Sequence, residues 1–476
     1  MAISSAGIGS GLDVSSIVTQ LMNLEKQPLT QLQTKASGLQ TKLSAYGTVK
    51  SALSALQSAA SGLLDPAGWK AKTFTSDNTA AVDGTATSGA LATSFSLKVT
   101  NMAQVQSARA APLTANTAIG SDGRMDIQLG NWSGTNFTAG SGSAISVSVA
   151  STDKLSDIAT KINGAGAGVT AVVVKTGGDE QLLLRGNTTG AAAGFQIKTY
   201  DGGGTAITDG TTGVGKFAYD YSSTNTAFYG MTQTQAAQDA SVEIDGIVVT
   251  SATNTVADAV PGVTLNLKAK TTTAATITVG DDTASIKAKL EALQTAYNKV
   301  VTTLSDLTKY DTSSKKAGTL QGDSTAVGIQ SVLRSMLGTN GPTGNAFGRL
   351  SDAGLELQRD GTLSINSTKL DKALKNLPEL NTFFTASTGS ASSDGMARRL
   401  NSFVQQANGV DGNVSGRSSA LQSAISRNSK DQDAMNLRLT KRQANLYAQY
   451  NALDTKMGSL SSMSSFITQQ VAQWNK

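Results

Sequence analysis

Apolar residues recur every seven positions near the end of the chain, at Ile425, Leu439, Leu446, Leu453, Leu460 and Ile467, with Gln432 in one slot and Trp474 closing the series. A second seam, Leu421, Asn428, Met435, Tyr450, Met457 and Val471, runs beside it. It shifts from three residues after the first seam to four near Leu446. A helix of 3.6 residues per turn drifts this way against a seven-residue repeat. No proline follows Pro378, and Lys, Arg, Gln, Asn and Ser fill the other faces. The pattern predicts one helix from about Ser418 to Trp474, about 80 Å long at 1.5 Å per residue. Such a helix needs partners along most of its length.

The start of the chain carries a matching pattern. Leu32, Leu39, Tyr46, Leu53 and Ala60 recur every seven residues, joined by Leu43 and Leu56. Upstream, Ile17, Leu21 and Leu24 keep four-three spacing behind Asp13, a good N-cap. Pro28 predicts a break near Gln27. Both ends are helical seams, and the alternative is that each packs inside an ordinary bundle core.

Between them the period changes. After the turn Asp65-Pro66-Ala67-Gly68, alternation at Phe95, Leu97 and Val99 predicts strands. Residues 115–235 are rich in glycine and hold short strands such as Ile145–Val149, Val169–Val174 and Gln181–Leu184. One helix lies among them, capped by Ser151 or Thr152 and carrying Leu155, Ile158 and Ile162. A two-residue turn at Asp245-Gly246 pairs Ile244 with Ile247 and Val242 with Val249, all on one face. Strands follow at Val263–Leu267 and Ile277–Val279. Helices resume with Ile286, Leu290, Leu293, Tyr297, Val300, Leu304 and Leu307, then a shorter one from about Ser324 to a C-cap at Gly338. In the hairpin Leu355–Ile365, a three-residue loop Arg359–Gly361 with left-handed Gly361 puts Leu355, Leu357, Leu363 and Ile365 on one side.

The order of helix, β and helix, with complementary ends, predicts a multidomain α+β chain nested by insertion. The expected parts are legs of 1–42 with 428–476, a helical domain of 43–72 with 283–427, a β-rich domain of 73–114 with 236–282, and an inserted outer β/α domain of 115–235.

Composition narrows the chemistry. The 476 residues include no cysteine and no histidine, so disulfides, thiol nucleophiles, the usual zinc sites and histidine-based triads are excluded. Only 5% of residues are aromatic, a poor composition for aromatic-lined ligand pockets. The net charge of +5 resides mostly in the last helix. Its charges are spaced out without interleaved aromatics, which favours a solvated face toward acidic partners over nucleic acid. The first residues lack the basic and apolar regions of a secretory signal, and no apolar run reaches membrane-spanning length. Gly210 to Phe217 follows phosphate-loop spacing up to Lys216, but Phe217 replaces the hydroxyl that binds Mg²⁺. Asp281-Asp282 and Asp201/Asp209 do not fit a calcium loop. No catalytic, cofactor-binding or metal site is expected.

Gly7-Ile-Gly9-Ser-Gly11-Leu12-Asp13-Val-Ser-Ser-Ile-Val-Thr-Gln-Leu21 at the start, Lys42–Leu53, Leu307–Tyr310 and Leu320–Thr325 within, and Tyr450–Gln470 at the end carry a family resemblance. The chain resembles the flagellar filament cap family, the hook-associated protein 2 group. Residues 115–235 resemble it only loosely, apart from the β/α/β piece Leu155–Leu184, which is similar to a motif inserted in flagellin-type proteins. The resemblance implies export through the flagellar channel, which accounts for the missing signal. It also implies a ring, usually of five subunits, at the filament tip, whose terminal helices act as legs while the ring promotes folding and polymerisation of flagellin. The partners implied are further copies of the chain, flagellin, hook–filament junction proteins and an export chaperone, with host-surface glycans as a candidate ligand and neither nucleic acid nor membrane insertion. The expected assembly seam is Ile17, Leu21, Leu24, Leu32, Leu439, Leu446, Tyr450, Leu453, Met457, Leu460 and Ile467, with Gly7, Gly9, Gly11, Leu12 and Asp13 as the family motif. A flagellin or junction protein shares helical ends and a β middle, though the Gly-Ser-Gly-Leu-Asp leader argues against both. An adhesin on a helical stalk is a third reading.

Overall fold

The computed structural model describes residues 13–220, 230–313, 315–390 and 392–474. The chain divides into two compact units, Met1–Trp69 with Thr283–Lys476, and Lys70–Asp282. In chain order the helices are α1 (Val14–Glu25), α2 (Gln27–Leu64), α3 (Pro66–Trp69), α4 (Leu155–Ala165), α5 (Thr283–Thr308), α6 (Ser324–Gly338), α7 (Ser367–Ala373), α8 (Leu377–Thr385), α9 (Met396–Asn408) and α10 (Asn413–Trp474). Gly7, Gly9, Gly11 and Leu12 lie outside the described residues.

In the first unit, Asp13 caps α1 by accepting a hydrogen bond from the Ser16 amide at 2.9 Å. The helix stops at Lys26, and α2 begins with Pro28 in its first turn. There the missing N–H costs nothing, whereas inside a continuous helix it would leave a carbonyl unpaired. Along α2 the residues Tyr46, Val49, Leu53, Leu56, Ala60 and Leu63 are buried at three- and four-residue steps. The same spacing on α5 buries Ile286, Leu290, Leu293, Tyr297, Val300 and Leu304. Both stripes enter one core with α6, α8, α9 and the start of α10. A fully buried leucine contributes about 1.5–3 kcal/mol, so this core holds most of the unit's stability.

Two local readings of this unit meet the geometry differently. The hairpin pairs Leu355 with Ile365 and Leu357 with Leu363, and Gly361 has φ +88°, as the three-residue loop requires. Gly338 is not a left-handed cap: it is the last helical residue, and Thr339 follows in extended conformation with its amide on the Met336 carbonyl. Glycine ends the helix there without needing positive φ.

The second unit holds two cores. In one of them, a five-stranded antiparallel sheet in the order Lys72–Ser76, Ala275–Asp281, Thr93–Asn101, Ala240–Ile244, Ile247–Ser251 shares its apolar face with a three-stranded sheet of Thr255–Val260, Val263–Leu267 and Val82–Ala86. Phe95, Leu97 and Val99 alternate inward as expected. Asp245 and Gly246 both have positive φ, the geometry of a two-residue hairpin whose twist matches the strands. The predicted pairs Ile244–Ile247 and Val242–Val249 form. Ile247 is nevertheless exposed, because its strand is the sheet edge beside the turn.

The other core packs α4 and two antiparallel sheets. One contains Met231–Gln235, Ser107–Ala110, Asp179–Gly186, Leu113–Thr114 and Val169–Thr176. The other contains Gly194–Asp201, Gly123–Ser133, Asn136–Ala139 and Ile145–Val149. The strand Ser107–Ala110 lies upstream of the expected boundary at 115, and its Ala108 and Ala110 belong to this core. Gln106, fully buried, joins it by bracketing Phe195, giving its amide hydrogen to the Phe195 carbonyl at 2.9 Å and accepting from the Phe195 N–H at 2.8 Å. The N-cap of α4 is Lys154, not Ser151 or Thr152; the Asp157 carboxylate reaches back to the Lys154 amide at 3.0 Å. Phe217 is buried in the same core, which removes the phosphate-loop reading of Gly210–Phe217.

Candidate assembly site on the terminal helices

The leg of the first unit is built from α1, the start of α2 and the outer part of α10. Tyr46 of α2 and Arg417 of α10 both bond Asp323. Further along, Glu25 pairs with Arg442 at 3.4 Å. Going from 46 down to 25 thus matches going from 417 up to 442, so the two ends of the chain run antiparallel.

A separate small core clamps this pair. Val14, Val18 and Met22 of α1, four residues apart, are buried against Leu439 and Leu446, with Leu29, Met435, Tyr447 and Tyr450 packed around them. The expected stripe of Ile17, Leu21 and Leu24 is not the one that faces α10: Ile17 is half-buried, Leu21 is 38% exposed and Leu24 64%. Both stripes have helical spacing, so spacing alone does not choose between them. Leu32 is half-buried on α2. Of the α10 seam, Leu439 and Leu446 are buried, Tyr450 is half-buried, and Leu453, Met457, Leu460 and Ile467 are exposed together with Met463, Phe466 and Val471. Where α1 begins, the coverage of α10 ends. An exposed apolar run of this length on one helix marks an interaction surface.

Asn428 occupies the seam between these regions, buried, with its Oδ1 accepting from Gln432 Nε2 at 2.6 Å. Its Nδ2 has no protein partner among the described residues. A buried asparagine in a helical seam fixes register at a cost in stability.

The leg is held to the helical core through Asp323, which sequence reasoning did not single out for this role. Its Oδ1 caps α6 by accepting from the Thr325 and Ala326 amides and takes the hydroxyl of fully buried Tyr46; its Oδ2 accepts from Arg417 Nε and Nη2 at 3.1 and 2.9 Å. Burial alone pushes this carboxyl up, but the Tyr46 and Arg417 hydrogen bonds, the Ala326 N–H and the Arg417 charge outweigh it and hold it below the usual carboxylate range. Tyr46 is pushed up by burial and by the neighbouring carboxylate. No group of three or more His, Cys, Asp or Glu residues placed to hold a metal occurs among the described residues.

Paired terminal helices, an apolar tail left uncovered and β-rich insertions define a structural protein built for assembly through its ends. Comparison with known proteins agrees. Models of the flagellar hook-associated protein 2 N-terminus and C-terminus match residues 10–106 and 237–462, and the flagellin hook IN motif matches 136–188. Flagellar hook-associated protein 2 of Escherichia coli K12 is 32% identical, with 98% of each chain covered. The A-type flagellar hook-associated protein 2 of Pseudomonas aeruginosa is 29% identical over 98% of this chain and 96% of its own. The crystal structure of the D1-D2-D3 domains of the E. coli flagellar cap protein FliD superposes with a TM-score of 0.56 at 28% identity, covering 79% of this chain and 99% of that one. The chain belongs to the flagellar hook-associated protein 2 family. Membership assigns it to the cap of the bacterial flagellar filament, outside the cell. No helix among the described residues is long and apolar enough to cross a membrane.

Proposed function

We propose that this chain forms a ring at the filament tip, anchored by its legs, and that the ring promotes folding and polymerisation of exported flagellin without catalysing a reaction. The observation that carries the reading is the uncovered tail of α10, where Leu453, Met457, Leu460, Met463, Phe466 and Ile467 are all exposed in the single chain. Two helices alone cannot cover such a stripe, and neighbouring subunits or flagellin termini of like pattern can. The seam Ile17, Leu21, Leu24, Leu32, Leu439, Leu446, Tyr450, Leu453, Met457, Leu460 and Ile467 serves this assembly in two ways: Leu439 and Leu446 hold α1, while the exposed members meet the partners. The leader Gly7, Gly9, Gly11 and Leu12 precedes the cap Asp13.

The chain works as four nested parts: the legs, the helical domain, the inner β domain and the inserted outer domain. The separate apolar cores support that division, with the insertion starting near Gln106. Five subunits, hook–filament junction proteins, an export chaperone and, for the outer domain, host-surface glycans complete the proposed partner set. The test is complementation in a motile bacterium lacking its own cap gene. Expression of this chain restores filaments and keeps flagellin out of the medium, whereas secreted chain that leaves flagellin unpolymerised would reject the role. Electron microscopy of the purified protein counts the subunits per ring.

A further inference from the structure

We propose that the edge strand Ile247–Ser251 pairs antiparallel with the same strand of a second copy, about a two-fold axis through Val249, and joins the two five-stranded sheets into one. The backbone register leaves this edge open. Ile244 faces Ile247 and Val242 faces Val249 behind a tight turn with positive φ at Asp245 and Gly246, and a turn of that kind closes on a hydrogen-bonded pair. The next amide, Asp245, bonds the Ser96 carbonyl of the neighbouring strand, which fixes the alternation. Ile247, Val249 and Ser251 therefore bond inward. The N–H and C=O groups of Val248 and Thr250 point out of the sheet and have no partner among the described residues. The side chains there are apolar and uncovered, Ile247 being 69% exposed and Val248 66%.

Native sheets guard such edges, and the other edges of the same two sheets are guarded. Lys72 of Lys72–Ser76 pairs with Asp281 at 2.6 Å, and Asp83 of Val82–Ala86 pairs with Lys268 at 3.2 Å. Thr255–Val260 is bulged between Ala257 and Val260, with Asp258 at φ +55°. Ile247–Ser251 has no charge, proline or bulge, and the carboxylate at its turn, Asp245, is directed to its own sheet, accepting from the Ser96 amide at 2.8 Å. A preformed strand suits this edge better than a flexible segment, because fixing flexible residues costs about what so short a row of hydrogen bonds returns. The same strand of a second copy is preformed, and no like charges meet when the two pair. In the two-fold register Val248 exchanges both hydrogen bonds with the partner's Thr250, Thr250 does so with the partner's Val248, and Val249 lies opposite the partner's Val249. A two-fold contact does not close a ring, so this pairing stands apart from ring assembly.

The chain has no cysteine, so a single introduced cysteine can link only to its own copy in a second molecule. The test oxidises full-length Val249→Cys and Ile247→Cys mildly at equal concentration. In the two-fold register the two copies of position 249 stand about 4.5 Å apart at Cα, within disulfide reach, whereas those of position 247 are about 13 Å apart. Exposure alone favours Ile247, since Val249 is half-buried. The expected result is a disulfide-linked dimer that forms from Val249→Cys about tenfold or more faster than from Ile247→Cys, as paired strands raise the local concentration. Adding Thr250→Pro, whose lost N–H points outward and takes no bond from the sheet, should remove that advantage with circular dichroism unchanged. Adding Val248→Lys should remove it by placing charge at the pairing edge. Contacts through the tail of α10 raise both rates alike and leave their ratio unchanged. Equal rates, faster linkage at position 247, or an advantage that survives both added substitutions would each overturn the proposal, and no dimer from Val249→Cys would overturn it in favour of a different chain at this edge.

Discussion

Replacing Asp323 with alanine removes three interactions at one carboxylate. The N-cap of α6 is lost, at about 0.5–2 kcal/mol. The hydroxyl of Tyr46, fully buried, loses its acceptor, at about 1–3 kcal/mol. Arg417, whose side chain is 41% exposed, turns to water and adds little. The expected loss is about 2–4 kcal/mol, confined to the junction of α2, α6 and the start of α10. Because the protein has several cores, a global melt would blur it, and amide hydrogen exchange resolves it. Exchange of the α6 and early α10 amides should accelerate about 30- to 1000-fold, while amides of Lys70–Asp282 stay unchanged. The pH dependence follows from the depressed carboxyl. A group with a lowered folded pKa contributes fully above its unfolded value of about 4, and the contribution disappears as pH falls through the folded pKa. The difference between wild type and Asp323→Ala should therefore hold from pH 7 to about 5 and close in stronger acid. Equal exchange in the two proteins at pH 7, or a gap that persists undiminished well below pH 3, would refute the reasoning.

Three further substitutions test separate parts. Gly354→Ala should destabilise the hairpin by about 1–3 kcal/mol, because φ is +87° and a Cβ would stand 2.5 Å from the Leu370 amide nitrogen; a lowered melting temperature of the helical unit checks it. Gln106→Leu should cost the core packed around α4 about 1–3 kcal/mol by leaving the Phe195 N–H without its side-chain acceptor, seen as an earlier loss of β-type circular dichroism. Asn428→Leu should instead slow exchange along the leg by removing an unpaired buried amide, a gain of about 1 kcal/mol, while loosening the register that α2 and α10 adopt.

Much of this architecture was legible because it is written in periods. The unbroken course of α10 follows from its sevenfold series, the break at Lys26 from Pro28, and both hairpins from turn residues whose φ values only glycine or aspartate supply readily. What stayed hidden depends on rotation or on distance along the chain. Val14, Val18 and Met22 share helical spacing with Ile17, Leu21 and Leu24, so pattern alone does not say which stripe α1 turns toward α10. Asp323 reads as an ordinary N-cap. Its bonds to Tyr46, 277 positions away, and to Arg417, 94 away, exist only in the folded unit. The core to which Ser107–Ala110 belongs was hidden for a similar reason, since this strand alternates no differently from the strands before it and declares its core only by pairing with Asp179–Gly186.

The central claim, that the exposed tail of α10 anchors the chain in the filament, is tested most directly by Leu460→Asp with Phe466→Asp. Both side chains are exposed in the single chain, so the substitutions should leave all four cores folded and the protein secreted. Buried against a partner, each unpaired carboxylate costs several kcal/mol, about a thousandfold or more in occupancy for the two together. In a strain whose only cap gene carries the double substitution, filaments should be absent or stunted, with unpolymerised flagellin in the medium. Filaments of normal length, grown from normally secreted double variant, would contradict the anchoring role.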